Sequence, residues 1–410
     1  MAAPTAANWD VSTVANALKE YYSKTGIKDA CYSTRSLCLL NPSKFNVKKT
    51  GVSGSQFVSP IQYAASGGLG MTVATANASA REAEVLKWVL TGKKVYKKDN
   101  IGTDLLYSAT GDMTGAFFNA AVKVIDKARV DLAVEIERRL FGNGTGRIGS
   151  VSSATATVIT LETAADARNF EVGMSITDDT SGTHITQVTA VNRQAGTVTV
   201  SSTSVGDDTA GFTDATTAIY RYGFAVEAAS GVQGLGVQFP TTRTSTNTVH
   251  TVEQSTDWNR LAGTHVDATG ASPYEAVTEG VMQCKAEGGD PTHLIMSFED
   301  LSSVLNDGQG QKVFSAGDPL QIGSKVVELA VPDGGLVKVL GSTFCPQGTI
   351  YALNQPDIEI VYWGKELMNV QNQDGAIMHY NDSADVWNVR HLAMFDLLVN
   401  TPALHAVITV

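Results

Sequence analysis

The chain has 410 residues, of which 43% are hydrophobic and 17% charged, and its formal net charge is −11. This length and composition can bury a large core and predict two or three domains. The net negative charge argues against a protein whose main function is to bind nucleic acid.

The charge is unevenly distributed along the chain. Residues 1–145 carry 18 Lys and Arg against 12 Asp and Glu, and residues 146–410 carry 12 against 29. Three explanations of this uneven charge remain open. The two regions attract one another between subunits, the first region turns a basic face toward a polyanion, or both are solvated surfaces of different composition.

Cysteine usage and hydropathy indicate a protein that is made without export. Cys31, Cys38, Cys284 and Cys345 form no C-x-x-C pair and are too few to cross-link a chain of this size. Buried free thiols in a reducing cytoplasm are therefore expected. No signal peptide is recognisable, and no apolar run approaches the ~18 residues of a membrane-spanning helix. We expect a soluble protein with no membrane partner.

The first hundred residues have the pattern of extended segments. Residues 1–50 are polar and small, with a short helix predicted over 11–22 and an extended stretch after it, which is typical of an arm that needs a partner surface. Residues 51–80 alternate strand and glycine-rich turn signals, which predicts a long β-hairpin or loop. Lys93, Lys94, Lys97 and Lys98 follow, and a solvated hairpin explains them better than a nucleic-acid site.

A long amphipathic helix is predicted over 111–140. Its apolar residues recur three or four positions apart, which places them on one stripe. Asp112 is the candidate N-cap, and Glu135 with Arg139 is a favourable i,i+4 pair near the end. The glycine-rich segment 142–146 ends the helix. At ~1.5 Å per residue the helix spans roughly 45 Å, which suits a spine for the rest of the chain.

The remainder divides into a β-rich unit and an α/β region. Residues 148–224 are mainly Thr, Ser, Val, Gly and Asp, and their period-two alternation predicts a small inserted β-barrel or sandwich. Residues 225–260 return to loop and strand, 273–288 and 298–305 are predicted helices, and the C-terminal region is predicted to be mainly strands, the last of them over 404–410. The fold class is therefore α+β. The strands of the inserted unit are predicted at 155–161, 170–176, 185–191, 196–201 and 218–222.

No motif with a catalytic or binding signature stands out. Residues 144–149 match G-x-G-x-x-G, but the dinucleotide fingerprint needs a strand before it and a helix after it, whereas here a helix precedes and a β unit follows. The seven histidines are scattered singly. The pairs Asp178-Asp179 and Asp207-Asp208 are better explained as solvated turn residues than as cation ligands. We expect no catalytic, cofactor-binding or metal-ligating residue, no cofactor and no enzyme activity.

Three segments carry a resemblance to a known family. They are residues 137–146 (ERRLFGNGTG), 290–301 (DPTHLIMSFEDL) and 388–410 (NVRHLAMFDLLVNTPALHAVITV). In this order they resemble the end of the spine helix, the strand and helix of the axial lobe, and the C-terminal strands of the major capsid proteins of tailed bacteriophages. The shared architecture of that family is the Hong Kong ninety-seven fold. The resemblance covers nearly the whole chain except 148–224.

This resemblance implies a phage major-capsid fold with a small all-β domain inserted. The implied parts are an N-terminal arm (1–50), an E-loop (51–75), a peripheral domain with spine helix 111–140 (76–147), the inserted domain (148–224), a return to the peripheral domain (225–260), an axial domain (261–354), further peripheral strands (355–398) and a C-terminal strand (399–410).

The function implied by the resemblance is that of a structural major capsid protein. Such a chain self-assembles into hexamers and pentamers of an icosahedral virion shell around double-stranded DNA, after synthesis in the host cytoplasm. The implied partners are further copies, a separate scaffolding protein, a portal, a decoration protein, and packaged DNA that is contacted without sequence specificity. Two alternatives remain: an encapsulin-like nanocompartment shell of the same fold, and a β-rich phage tail or surface adhesin.

Overall fold

The computed structural model describes residues 37–102, 118–178, 184–201, 212, 217–224, 231–307, 328–330, 335–370, 378–381 and 386–410. In chain order the strands are β1 (Lys48–Val52), β2 (Phe57–Ala64), β3 (Glu84–Leu90), β4 (Lys93–Gly102), β5 (Arg147–Ala154), β6 (Val158–Leu161), β7 (Ser175–Thr177), β8 (Ile185–Asn192), β9 (Thr197–Val200), β10 (Ala218–Arg221), β11 (Thr248–Val249), β12 (Val252–Glu253), β13 (Thr264–Asp267), β14 (His293–Ser297), β15 (Glu328–Ala330), β16 (Leu336–Ser342), β17 (Thr349–Leu353), β18 (Ile358–Trp363), β19 (Asn369–Val370), β20 (His379–Asn381), β21 (Val386–Val399) and β22 (Ala406–Thr409). The helices are α1 (Val73–Ala78), α2 (Phe118–Phe141), α3 (Leu235–Gln238), α4 (Trp258–Ala262), α5 (Pro273–Ala286) and α6 (Phe298–Asp307).

The long helix α2, called the spine helix below, packs on a mixed sheet. The sheet runs in the order β1-β18-β21-β19, with β4 and β20 also paired to β21. Strand β21 is 14 residues long and pairs antiparallel with β4 over ten consecutive positions. Ala128, Leu132, Ile136 and Leu140 are buried at intervals of four on the spine helix. This stripe is the reason why the helix lies across β4 and β21.

The largest hydrophobic core fills the space between the spine helix, this sheet and residues 37–47. Leu39 and Phe45 of that N-terminal segment are almost fully buried beside Leu132 and Ile136 of the helix. The segment then enters the sheet as β1, which runs parallel to β18. Residues 37–52 are therefore part of this core and sheet.

A second mixed sheet, in the order β13-β22-β17-β14-β16-β15, carries α5 and α6. All five residues of β14 are buried. Helix α5 begins at Pro273, whose fixed φ suits the first turn, and buries Val277, Val281 and Cys284 in a core separate from the first. The C-terminal strand β22 lies between β13 and β17 in this sheet.

Between the spine helix and residue 231 the chain forms a closed barrel, in the strand order β10-β5-β6-β9-β8-β7. Strand β10 pairs with both β5 and β7, so the sheet closes on itself. The barrel has its own core, which includes Val151, Phe170 and Ile219. Tyr220 lies opposite Arg147, so the chain enters and leaves the barrel at neighbouring positions, as expected for an inserted unit.

Strands β2 and β3 form a separate two-stranded hairpin over residues 57–90, with α1 between them in sequence. The base of the hairpin buries Ile61, Trp88 and Leu90 against Trp363 and Leu398 of the first sheet. None of the described helices combines the length and apolar character needed to cross a membrane.

The N-terminal expectations differ from the structure in two places. The predicted loop ends at 75, whereas the hairpin continues through β3 to Leu90, because strand pairing with β2 and not the glycine content decides its length. The predicted extended stretch contains turns at 38–44 and becomes a strand only at Lys48. The predicted helix over 11–22 lies outside the described residues.

The spine helix ends at Phe141, one residue after the predicted end, and the described helix begins at Phe118. Its predicted start at 111 and the candidate cap Asp112 lie in 103–117, outside the described residues. The predicted ion pair exists, since Arg139 donates to Glu135 at 3.1 Å.

In the barrel, the predicted strand over 170–176 is wrong for most of its length. Residues 164–169 form a 3-10 turn, Gly173 has a φ of 88°, and only Ser175–Thr177 pair as a strand. Conversely, β5 was not predicted, because its run of small residues lacks a clear apolar alternation. The predicted last strand, 404–410, is shortened to β22 because Pro402–Leu404 form a 3-10 turn.

Candidate assembly surfaces

The tip of the hairpin exposes apolar side chains. Leu69 and Val73 are 90% and 79% exposed, and Met71 is fully exposed. Backbone bonds from Gly67 to Arg81 and from Gly68 to Ser79 close the tip at 2.9 Å each, yet α1 buries no side chain. A projecting apolar surface of this kind is typical of a site that contacts another molecule.

Glu137 of the spine helix fixes the N-terminal segment in place. Its Oε1 accepts hydrogen bonds from the backbone N–H groups of Cys38 and Leu39 at 2.8 and 2.7 Å, and its Oε2 accepts one from Leu40 at 3.0 Å. The side chain is fully buried. Burial raises the pKa of the Glu137 carboxyl, while the three N–H donors favour its charged form. One carboxylate thus satisfies three consecutive backbone donors of a turn that would otherwise be buried without partners.

Glu135, half a turn away, links the spine helix to the barrel. Its carboxylate contacts Arg138 at 2.6 Å, Arg139 at 3.1 Å and Arg221 of β10 at 3.2 Å. Burial alone would raise the pKa of Glu135, but the three guanidinium charges outweigh it and lower the pKa to about 2. The Arg139 guanidinium also lies 4.2 Å from the ring centre of Phe224. The barrel is therefore joined to the spine helix by a largely buried ionic cluster.

A second ionic contact joins the barrel to the other sheet. Arg168 of the barrel forms an ion pair with Glu299 at the start of α6. Between these two attachments lies a polar groove of about 380 Å³, lined by Arg138, Arg147, Asp166 and Gln347 among others. Burial raises the pKa of Asp166 to about 6. The groove separates the barrel from the loop after β16.

The lysines singled out in the sequence lie on β4, a strand of the main sheet. Lys97 faces the spine helix, where it pairs with Asp99 at 3.5 Å and Asp131 at 3.4 Å. Lys94 and Lys98 lie on the opposite face of the sheet and are exposed. The solvated hairpin predicted here is wrong, because β4 pairs with β21 along its whole length.

The structure gives ordinary roles to the remaining candidates. The glycine motif 144–149 follows the spine helix and runs into β5, so the strand before it and the helix after it that a dinucleotide fingerprint needs are both absent. Asp178 contacts His184 at 2.9 Å, and the other three turn aspartates lie outside the described residues. His293 packs edge-on against Phe45, and His405 contacts Asp357 at 3.0 Å. In the described part of the chain no group of three or more His, Cys, Asp or Glu could hold a metal ion.

The sequence predictions do not include roles for Glu137, Arg221 or the apolar tip residues. Glu137 contacts residues 97 to 99 positions away, so no local pattern marks it. Leu69, Met71 and Val73 are apolar residues in a glycine-rich stretch, and no helical or strand periodicity places them on a buried face. That combination is the signal by which the sequence could have indicated an exposed apolar surface. Cys38, Cys284 and Cys345 are buried free thiols, as predicted, and Cys31 lies outside the described residues.

No sequence-family model matches this chain, and no curated protein matches it by sequence. Solved structures do match. A chain of the capsid asymmetric unit of Cyanophage A-1(L) is 13% identical with a TM-score of 0.52, over 93% of this chain and 96% of that one. The capsid of the native GTA particle is 12% identical with a TM-score of 0.49, over 98% of both chains. The holo-SrpI encapsulin complex from Synechococcus elongatus is 11% identical with a TM-score of 0.42, over 97% of this chain and 94% of that one.

The match to the cyanophage capsid shows that the chain has a phage-capsid fold, as the sequence predicts. The other two likenesses are more distant and carry no further weight. At 13% identity the comparison concerns the fold, and the function must be argued from the surfaces described above.

Proposed function

We propose that this chain is a structural major capsid protein, the repeating subunit of an icosahedral virion shell. The observation that carries the proposal is the hairpin over 57–90, whose base is embedded in the core while its tip presents Leu69, Met71 and Val73 to solvent. Apolar residues at the end of a long hairpin are stabilised only when another molecule covers them. The capsid fold makes a second copy the natural partner.

In this proposal, hexamers and pentamers of the chain close around double-stranded DNA in the virion, after synthesis in the host cytoplasm. The peripheral domain corresponds to the spine helix with its sheet, and the axial domain to the second sheet with α5 and α6. Many weak contacts, each shared between neighbours, add up to a stable shell. A separate scaffolding protein, a portal and a decoration protein complete the proposed partners, and no enzyme activity is proposed.

The test compares the full chain with a tip variant, Leu69→Ser/Met71→Ser/Val73→Ser, each expressed with and without its neighbouring gene products. We expect the unaltered chain to form rings of five and six or closed polyhedral shells in negative-stain electron microscopy. The tip variant should keep its circular dichroism spectrum and melting temperature, because these side chains are exposed, but sediment as a monomer.

The matched control is Val172→Ser, which replaces an exposed apolar residue of the barrel and should assemble normally. A chain that stays monomeric under every condition would overturn the shell proposal and favour the adhesin. Shells that enclose a protein cargo in place of DNA would identify a nanocompartment.

A further inference from the structure

More positive than negative charge is buried where the spine helix meets the barrel. The carboxylate of Glu135 contacts three guanidinium groups, those of Arg138, Arg139 and Arg221. The side chains of Glu135 and Arg139 are each 7% exposed, and that of Arg138 is 11% exposed. Because a guanidinium keeps its charge in proteins, this cluster holds two surplus positive charges in a largely buried place. Buried charge of this kind is costly unless an anion compensates it.

The aromatic neighbours of the cluster leave part of its hydrogen-bonding capacity unused. The guanidinium of Arg138 lies 5.5 Å from the ring centre of Phe344, and that of Arg139 lies 4.2 Å from the ring centre of Phe224. Such contacts offset some of the charge but supply no hydrogen-bond acceptor in the guanidinium plane. The Nε of Arg138 is buried and has no partner among the described residues. A buried donor without an acceptor costs stability, which an oxyanion beside it would restore.

Arg147 adds a positive charge that the anchoring of the barrel does not explain. It is exposed at the first position of β5, and its guanidinium forms no hydrogen bond or ion pair in the part of the chain that the structure describes. Arg138 and Arg147 both line the polar groove of about 380 Å³ and a narrower adjoining pocket. The charged residues around the narrower pocket are Glu135, Arg138, Arg139 and Arg147. The surplus at this pocket is therefore again two positive charges.

The segment that joins the spine helix to the barrel borders the same pocket with unused backbone donors. Asn143 and Gly144 line the pocket, and their N–H groups donate no hydrogen bond within the described residues. Gly144 has a φ of 78°, a conformation that favours glycine, so no side chain covers the backbone there. Free backbone N–H groups next to arginines are the donors that bind oxyanions in many proteins.

We propose that this groove binds a phosphate dianion, either free phosphate or a phosphomonoester, through Arg138, Arg147 and the backbone at Asn143 and Gly144. The inference goes beyond the proposed shell function and does not depend on it. A phosphate of this kind carries nearly two negative charges at neutral pH, which matches the surplus, and its oxygens accept paired hydrogen bonds from guanidinium groups. A carboxylate or a nucleic-acid phosphodiester brings only one charge. Since Arg138 belongs to the spine helix and Arg147 to the barrel, the bound phosphate would bridge the two units.

Isothermal titration calorimetry of the full chain with inorganic phosphate, at a pH of about 7.5 and constant ionic strength, tests this site. We expect one phosphate per chain with a dissociation constant below about 1 mM. Arg147→Gln should weaken binding at least about tenfold, because it removes a charged hydrogen-bond donor. Asp166→Asn should strengthen binding about threefold or more, because it removes a negative charge from the lining of the groove.

The matched control is Arg390→Gln, which makes the same change at an exposed arginine of β21 outside the groove and should bind phosphate like the unaltered chain. No binding of phosphate, or binding that Arg147→Gln leaves unchanged, would overturn the inference. Duplex DNA that binds in an Arg147-dependent way when free phosphate does not would assign the groove to a nucleic-acid backbone and also overturn it. None of these readouts requires assembly, so a failure of this site and a failure of the shell proposal are distinguishable.

Discussion

At the scale of single residues, the buried carboxylate of Glu137 decides whether the N-terminal segment stays on the spine helix. It accepts three backbone hydrogen bonds, and all three are buried. Glu137→Gln keeps the size of the side chain but removes the charge and turns an amide N–H group toward the same donors. We expect the free energy of unfolding in urea to fall by about 3 kcal/mol, since buried hydrogen bonds to charged groups are among the strongest in proteins.

The same variant should expose residues 37–47 to proteases. Trypsin is expected to cut after Lys44 sooner than in the unaltered chain. Glu253→Gln, a substitution of an exposed glutamate on β12, should change the free energy of unfolding by less than about 0.5 kcal/mol and serves as the control. Equal stability and equal cleavage rates in both variants would mean that Glu137 does not hold the segment.

Asp396 of β21 predicts a pH dependence of stability. Its Oδ1 accepts the backbone N–H groups of Gln233 and Leu397, both at 3.0 Å, and its Oδ2 lies 3.8 Å from Nδ1 of His250. Burial raises the pKa of this carboxyl from its usual 3.8 to about 7. The folded protein therefore holds a proton that the unfolded chain releases near pH 4. This contribution to stability is complete below about pH 4, decreases as the pH rises toward 7, and is constant above that.

Asp396→Asn removes this titration while the amide oxygen keeps both backbone hydrogen bonds. We expect the variant to gain stability over the unaltered chain as the pH is raised from 5 to 7, by about 2 kcal/mol at ~1.4 kcal/mol per pKa unit, and no further gain from 7 to 9. Urea unfolding at a series of pH values measures the difference, in which the titration of groups that do not contact Asp396 cancels. A difference that stays flat from pH 5 to 9 would contradict the raised pKa.

At the scale of elements, local patterns in the sequence were informative where neighbours in sequence are also neighbours in space. The stripe at every third or fourth residue predicts the spine helix to within one residue of its end at Phe141. Period-two alternation predicts β8, which spans Ile185–Asn192. Strand β4 was misjudged, because its partner is β21, some 290 positions away, and its half-buried lysines hide the alternation. The glycine-rich stretch before α1 likewise concealed that the hairpin extends to Leu90.

The two-residue turn between β11 and β12 offers a test at this scale. His250 and Thr251 have φ values of 45° and 73°, and Val249 pairs with Val252 across them. A tight turn with both φ values positive prefers glycine at its second position, and threonine is β-branched and poorly suited to it. We expect Thr251→Gly to raise the free energy of unfolding by about 1 kcal/mol, because released strain exceeds the entropy gained by the unfolded chain.

The control for this turn is Thr248→Gly, at an exposed position of β11 in the same hairpin. There the backbone is an ordinary strand, so glycine should lower the free energy of unfolding by up to about 1 kcal/mol. Opposite signs for the two substitutions are expected in urea unfolding. A loss of stability at Thr251 as large as that at Thr248 would mean that the turn is not strained.

At the scale of the whole molecule, the order of segments along the chain was more informative than any single motif. Three sequence patterns that are each weakly specific, at 137–146, 290–301 and 388–410, together predict the phage-capsid fold. The structural match to the cyanophage capsid confirms that fold. The candidate assembly surfaces could not be predicted in the same way. The site of Glu137 needs contacts nearly 100 residues apart, and β4 needs a partner strand, β21, some 290 positions away. Such contacts are set by long-range packing, and a single sequence does not reveal them.

The barrel should be an independent folding unit within this molecule. Its core shares no residue with the other clusters, its sheet is closed, and its ends meet where Tyr220 pairs with Arg147. A fragment of residues 146–224 is therefore expected to fold alone and to unfold in one cooperative thermal transition above 25 °C, although a unit of this size is only marginally stable. Circular dichroism of the fragment as a function of temperature measures this transition.

Calorimetry of the full chain should show a matching transition for the barrel. Its midpoint should lie at a higher temperature than in the fragment, because Arg221 and Arg168 anchor the barrel to Glu135 and Glu299. A fragment that is unfolded at 25 °C would show instead that the barrel depends on these anchors.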